Sequence, residues 1–474
     1  MRSTFFGFEA AKSGLAAAQA GLDVTGNNIA NLSTEGYSRQ IVDQSATYFG
    51  SPSDKLKPPS LLSRGLGVTI DGISQTRSDF LDLRYRNSSA ENGANQKMLS
   101  VLGDIEAIFD ETQTDGLNAM LEDFYTQLNV LSLNAGEVEY SNLARSGAQK
   151  VTKTLNQYAE QLSVVHRQTV EEMQISVDDA NTLLHKIDTI NRSIQVATLQ
   201  GSPTNELNDT RNLYLDKLSS YIDIQITHHQ DGSLSMHSGD TKLLDAENHT
   251  VTTLSVNDSA DDIRLMADGA ALSPSGGTLF GSMQLLNGRG SFAAAGENAY
   301  RGIPYYQSML DSFTSELSET FNALNGAGKP LFSGSTAASI AVSDEWLADP
   351  DWITATTEPD VSKGKNDNIL RMISALDQPQ NITPGFNGSF SDFLLSTMGE
   401  VAVDTDYARD ISETSDMVLS TVSNQRESVM GVSLNEETVN LLKYQKAFAA
   451  SSRVMTALDE ALETIINRMG LVGR

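Results

Sequence analysis

The sequence predicts a mainly α-helical protein with small β insertions: a long helical bundle forming a rod, closed by a coiled coil of its own N- and C-terminal helices. Three observations predict it. Leu434, Leu441, Phe448, Met455, Leu462 and Met469 recur every seven residues, with Tyr444, Ser451, Leu458 and Ile465 three positions on, after a polar Glu437. Phe8, Leu15, Leu22 and Ile29 are likewise seven apart, with Ala11, Ala18, Thr25 and Leu32 in the companion seats. Between the ends, helix-period stripes run from about residue 80 to 200 and return at 305–324 and 390–429. A helix with one apolar stripe must bury it against another element, so two such stripes at opposite ends of the chain are natural partners. The C-terminal stripe would extend roughly 54 Å at 1.5 Å per residue.

Residues 1–32 form the first helix, and Gly7, Gly14, Gly21 and Gly26 lie inside it. Each costs about 0.5–1 kcal/mol relative to alanine, so the helix is weak alone and depends on assembly. Gly14 and Gly21 adjoin Leu15 and Leu22 and read as sites of close packing. Asn27, Asn28 and Asn31 end the helix and can satisfy its last carbonyls. Residues 33–80 read as an extended arm, with turns at Gly36, Gly50, Pro52, Pro58, Pro59, Gly65 and Gly67 and strand-like runs at 38–45 and 67–72.

Four amphipathic faces follow, centred on Leu102, Leu121, Leu155 and Leu184, with Gly116 and Ser202-Pro203 as punctuation. Residues 205–221 make one more helix. At Ile222 the period changes to two: Ile222, Ile224 and Ile226 alternate, Asp231-Gly232 is a hairpin signal, and Leu234 and Met236 alternate again. Further runs at 251–256 and 263–266 complete a small β domain inserted at 222–285. A second excursion, 331–368, is a loop or a small β unit around 340–342. The expected organisation is thus a terminal unit of 1–50 with 430–474, and a rod of 51–221, 286–330 and 369–429 carrying these two inserts.

Sixty-one acidic against 33 basic residues give a net charge of −28, which argues against nucleic-acid binding and against adhesion to anionic membranes. The charge is unevenly spread. Residues 1–80 hold seven acidic and seven basic side chains, whereas 201–370 hold 23 acidic and nine basic, a net of −14. Balanced ends suit packing against copies, and an acidic middle suits an outward, solvent-facing lobe. There is no cysteine, so no disulfide or thiolate chemistry is available. The N-terminus lacks the apolar core of a cleaved secretory signal, and no run of eighteen apolar residues is present.

Nothing predicts catalysis, a cofactor or a metal. His166 and His185 lack a ligand partner at the zinc-binding spacing, and of His228 and His229, on opposite faces of one strand, only one could join His237. Asp258, Asp261 and Asp262 lack calcium-loop spacing and read as a solvated loop. The chain is not expected to be an enzyme.

The stretch 13–42, SGLAAAQAGLDVTGNNIANLSTEGYSRQIV, and the stretch 431–466, GVSLNEETVNLLKYQKAFAASSRVMTALDEALETII, carry a family resemblance. So do NELNDTRNLYLDKLSSYIDIQI at 205–226 and FNALNGAG at 321–328. Together they resemble the bacterial flagellar axial proteins, and among them the hook-associated protein 1 family. Glu35 stands where rod and hook proteins usually have proline, Asn435 where the family usually has aspartate, and Phe448 where tyrosine is common. The chain is short for the family, implying an outer domain that is reduced or absent.

The resemblance implies a structural subunit, exported unfolded through the flagellar type III apparatus, that polymerises through its terminal helices as a ring at the hook–filament junction. The implied partners are copies of itself, the hook protein, hook-associated protein 3 and an export chaperone on the C-terminal helix, with no nucleic acid and no membrane. The expected assembly interface joins the stripes (Phe8, Leu15, Leu22, Ile29, Leu32 and Leu434, Leu441, Tyr444, Phe448, Met455, Leu458, Leu462, Ile465) to the motif residues Asn27, Asn28, Asn31, Gly36, Tyr37 and Arg39. A hook or distal rod subunit, or a non-flagellar coiled-coil adhesin or scaffold, are the alternatives.

Overall fold

The computed structural model describes residues 5–47, 67–110, 116–259, 262–357, 364–383 and 385–468. The expected turns at Gly50, Pro52, Pro58, Pro59 and Gly65, and the stripe residue Met469, lie outside them. Helix α1 (Phe5–Ala30) leads into β1 (Gln40–Ala46), which pairs antiparallel with β2 (Val68–Gln75). The described part of the arm is therefore a two-stranded ribbon laid on α1, where Val68 N–H donates to Ser13 Oγ at 3.2 Å. The strand-like runs are visible in the sequence; their pairing with each other is not.

The rod is built from α2 (Asp79–Phe109), α3 (Leu117–Leu133), α4 (Val138–Leu199) and α5 (Asn205–Tyr221). Helix α4 has 62 residues, about 93 Å at the usual rise. Its buried residues recur along the whole length, from Ala144 through Leu155, Leu162 and Met173 to Ile187 and Ile194. Helix α5 has the bounds that the sequence pattern predicts.

The next stretch holds β3 (Gln225–His228), β4 (Leu234–Ser238), β5 (Thr241–Asp245) and β6 (Thr250–Val251) in one antiparallel sheet, then β7 (Leu254–Ser259), β8 (Asp262–Ala267) and β9 (Ala270–Leu272) in a second. The β3–β4 turn places Gly232 at φ +82°, the left-handed conformation for which Asp-Gly is suited. Along β8, Ile263, Leu265 and Ala267 are buried and alternate with accessible residues. These strands lie along α4: Asn191 Nδ2 donates to Leu234 O at 2.8 Å, and Asn181 bonds both backbone groups of Leu254 at 2.8 Å. The insert is fastened to the rod and shares its core, because its alternating faces are apolar on one side only.

Helix α6 (Thr278–Asn287) and α7 (Ile303–Asn325) return to the rod. The excursion after α7 contains β10 (Phe332–Ser333), β11 (Ala341–Val342) and α8 (Asp344–Ala348). It is packed rather than loose: Trp346 and Leu331 are fully buried, and Asn156 on α4 donates to Ala337 O and Ile340 O. A short helix, α9 (Asp367–Asp377), follows; its buried Ile369, Met372, Ile373 and Leu376 carry a helical signal that the sequence reading passes over. Helix α10 (Phe390–Met430) opens on a reciprocal cap, in which Ser389 Oγ accepts from Asp392 N–H and Asp392 accepts from Ser389 N–H. It runs antiparallel to α2, with Arg84 on Gln425, Ser415 on Asn92 and Thr405 on Leu102. Gly431 then separates it from α11 (Leu434–Arg468), which packs antiparallel along α1.

Candidate functional site

The pairing of α1 with α11 is ruled by small residues. A Cβ added at Gly7 would lie 3.3 Å from Leu458 Cδ1, at Gly14 3.1 Å from Ser451 Oγ, and at Gly21 2.5 Å from Tyr444 Cδ1. The glycines thus let α11 approach the α1 backbone in rungs seven residues apart on each helix. Ala11, Ala18 and Thr25 are buried beside them. Phe8, Leu15, Leu22 and Ile29 on α1 remain half-buried, as do Leu441, Phe448, Met455 and Leu462 on α11. In an antiparallel pair these two sets, each rotated the same way from the rungs, fall on the same side. The large residues therefore line one apolar flank of the pair rather than its central seam. Leu32, Leu434 and Ile465, also expected in the interface, are exposed at 43%, 51% and 42%.

A fourth rung, Asn28 against Glu437, is polar and buried, each side chain's residue being 1% exposed. Asn28 Nδ2 donates to Gln40 O at 2.9 Å and to Glu437 Oε2 at 3.1 Å. Asn28 Oδ1 accepts from Gln40 N–H at 3.0 Å and from the Tyr37 hydroxyl at 2.9 Å. Arg39 Nε donates to Glu437 Oε1 at 2.9 Å and Nη1 to Glu436 at 2.7 Å, while Arg39 N–H meets Met430 O at 2.9 Å. Asn27 donates to the Tyr37 hydroxyl, and Asn31 gives both its backbone and side-chain N–H to Asn27 O, ending α1 as the sequence predicts. Gly36, at φ +80°, turns against Leu213, which a Cβ would approach to 3.1 Å. Burial, and then the carboxylates of Asp209, Glu206 and Glu437, push the Tyr37 phenol up to about 12.

Beneath this clasp lies an ion network that sequence reasoning misses. Arg77 makes two bonds to Asp82 at 2.6 and 3.2 Å and one to Ser38 Oγ at 3.0 Å. Arg426 reaches Asp82 and Asp216 at 2.6 Å each and sits 4.7 Å over the Tyr85 ring. Arg86 holds the other Asp216 oxygen at 2.8 Å, and Ser38 N–H donates to Asp209 at 3.1 Å. The arm, α2, α5 and α10 are thereby joined at one point, where the terminal pair meets the rod. Nearby, burial and the cations Arg86 and Arg77 lower the Arg211 guanidinium to about 10. The available signal was charge inside helix-patterned stretches: Asp209, Arg211 and Asp216 all fall in 205–226. Glu437 was visible as the polar break in its stripe, but not as a ligand of Arg39.

Elsewhere, His229 Nε2 lies 2.8 Å from Ser235 Oγ, and Asp262 is held by Arg264. Among the described residues no group of three or more His, Cys, Asp or Glu side chains is arranged to hold a metal, and no helix is long and apolar enough to cross a membrane.

Residues 102–366, more than half of the chain, match the family described as flagellar hook-associated protein FlgK helical domain. The chain belongs to this FlgK family. Residues 8–37, which include Asn27, Asn28 and Tyr37, further match flagella basal body rod protein, and 424–469, which include Glu436 and Glu437, match the flagellar basal body rod FlgEFG protein C-terminal family. Flagellar hook-associated protein 1 of Bacillus subtilis is 28% identical over 517 aligned residues, covering 100% of both chains. Its Escherichia coli counterpart is 22% identical, covering 96% of this chain and 98% of that one. The solved flagellar hook junction protein FlgK from Burkholderia pseudomallei has the same fold, with a TM-score of 0.62 at 11% identity over 73% of this chain and 100% of that chain. This FlgK-family chain is a structural protein of the flagellar axis.

Proposed function

We propose that this chain is a subunit of the junction between hook and filament, joined to copies of itself in a ring through the apolar flank of α1 and α11. The observation that carries the reading is that flank: eight large apolar residues, Phe8 to Ile29 and Leu441 to Leu462, left half-buried by the single chain. Flanks of this kind are covered in an assembly. The balanced charge of residues 1–80 permits like subunits to approach there, whereas the acidic middle does not. The hook protein on one side and hook-associated protein 3 on the other are the neighbours in this reading, outside the cell. An export chaperone covers α11 beforehand; Val439 and Leu442, exposed at 64% and 52% on the side of α11 turned from α1, support that role.

The test is Leu441→Asp or Phe448→Asp in cells lacking the native protein. A carboxylate desolvated in that flank without a partner costs several kcal/mol per contact. The expected result is a secreted protein with an intact rod, no filaments and no swimming. Normal swimming with either variant would remove the flank from the assembly interface.

A further inference from the structure

We infer that the Asn28–Glu437 rung sets the register of α1 on α11, so that these two residues specify the pairing rather than merely strengthen it. The other rungs carry little information about register. Gly7, Gly14 and Gly21 are identical seats seven residues apart, and Ala11, Ala18 and Thr25 nearly so. A slip of one heptad would bring Leu458 or Tyr444 opposite Gly14 in place of Ser451, still a glycine seat facing a side chain on the same stripe. The polar rung has no such substitute. The slip that brings Tyr444 opposite Gly14 sets Glu437 against Gly21, which offers no side-chain donor, and takes it from Asn28 Nδ2 and Arg39 Nε. Asn28 would keep its bonds to Gln40 and Tyr37, leaving the carboxylate as the group stranded. A single buried polar seat in a repeating seam is a known way to fix register at the expense of stability.

The cysteine-free chain permits a direct test in the full-length protein. The Gly14 Cβ position lies 4.0 Å from Ser451 Cβ, within the range for a disulfide. The pair Gly14→Cys with Ser451→Cys reports the native register, and Gly7→Cys with Ser451→Cys reports the one-heptad slip that sets Glu437 against Gly21. Under mild oxidation the native pair should close within one chain roughly tenfold or more faster than the slipped pair, since a slip strands a buried carboxylate. Replacing both partners, Asn28→Leu with Glu437→Leu, should bring the two rates to within about threefold while α1 and α11 stay paired. Glu437→Gln, which keeps a polar side chain with one acceptor oxygen for Arg39 or Asn28, should preserve the native preference. An unchanged preference in the double-leucine protein would overturn the inference. So would loss of both cross-links in it with the Glu437→Gln protein normal, because the rung would then hold the helices together without choosing their register.

Discussion

The rod and the terminal pair are both helical, yet they are finished to different degrees. In the rod and its second excursion, Phe124, Phe313, Phe321, Phe390 and Trp346 are almost wholly buried, and their rings pack on aromatic neighbours, as Phe124 does on Phe321 at 5.4 Å and Trp346 on Phe332 at 6.1 Å. In the terminal pair, the one residue of α11 that is buried, among its described side chains, is a carboxylate, Glu437. That inverts the usual rule for interiors. The rod is complete as a single chain; the terminal pair is specified by a polar clasp and glycine rungs while its large apolar residues stay half-covered. On the proposed function, stability and assembly are therefore carried by different residues of one molecule.

The largest effect that would test this separation is Phe321→Ala, expected to cost about 3–5 kcal/mol and lower the thermal midpoint of the rod. Leu441→Ala should change the rod's stability by under about 0.5 kcal/mol and still impair filament formation. A rod destabilised equally by both would dissolve the contrast.

A smaller effect separates the glycines of α1. Gly21→Ala puts a methyl 2.5 Å from the Tyr444 ring and should weaken the α1–α11 pair by about 1–3 kcal/mol. Gly26→Ala meets nothing within 4 Å and should strengthen α1 by about 0.5–1 kcal/mol. Amide exchange along α11 reads both, and equal protection in the two variants would argue against the rungs.

The smallest is a pH effect. Folding raises the Tyr37 phenol from its ordinary value of 10.0 to about 12. The clasp's stability is therefore whole below pH 10 and falls as pH rises through about 12, because the unfolded chain loses that proton first. Tyr300, in the rod, is raised to about 12 as well. Tyr37→Phe should delete one late-titrating phenol from the ultraviolet titration and flatten the alkaline loss of α1–α11 pairing, leaving the rod's unchanged.

Much of the architecture was legible in local pattern. The 3.6-residue stripes placed the rod helices, and the change of period at Ile222 with Asp231-Gly232 placed the β insert. What local pattern could not give was which face of each terminal helix meets the other. The heptads put Leu15, Leu22, Leu441 and Phe448 in the central seam, because large apolar residues are the usual occupants; the closest approach instead runs through Gly14 and Gly21. Gly14 and Gly21 read as sites of close packing, but their partners Ser451 and Tyr444 are not visible in the sequence. The network of Arg77, Asp82, Asp216 and Arg426 was invisible for the same reason, since each charge alone resembles a solvated one. Helix α9 falls in the stretch expected to belong to the rod, but its 11 residues give only three turns to show a period.

The contact between Asn28 and Glu437 joins residues 409 positions apart, and Arg39 meets Glu436 across 397. Loops of that length close late, after local structure has formed. The start of the chain thus waits for its end: a polypeptide interrupted before residue 434 would retain the rod helices but leave Gly7, Gly14 and Gly21 uncovered and Arg39 without its carboxylates. The terminal unit therefore closes only on a polypeptide that extends through α11.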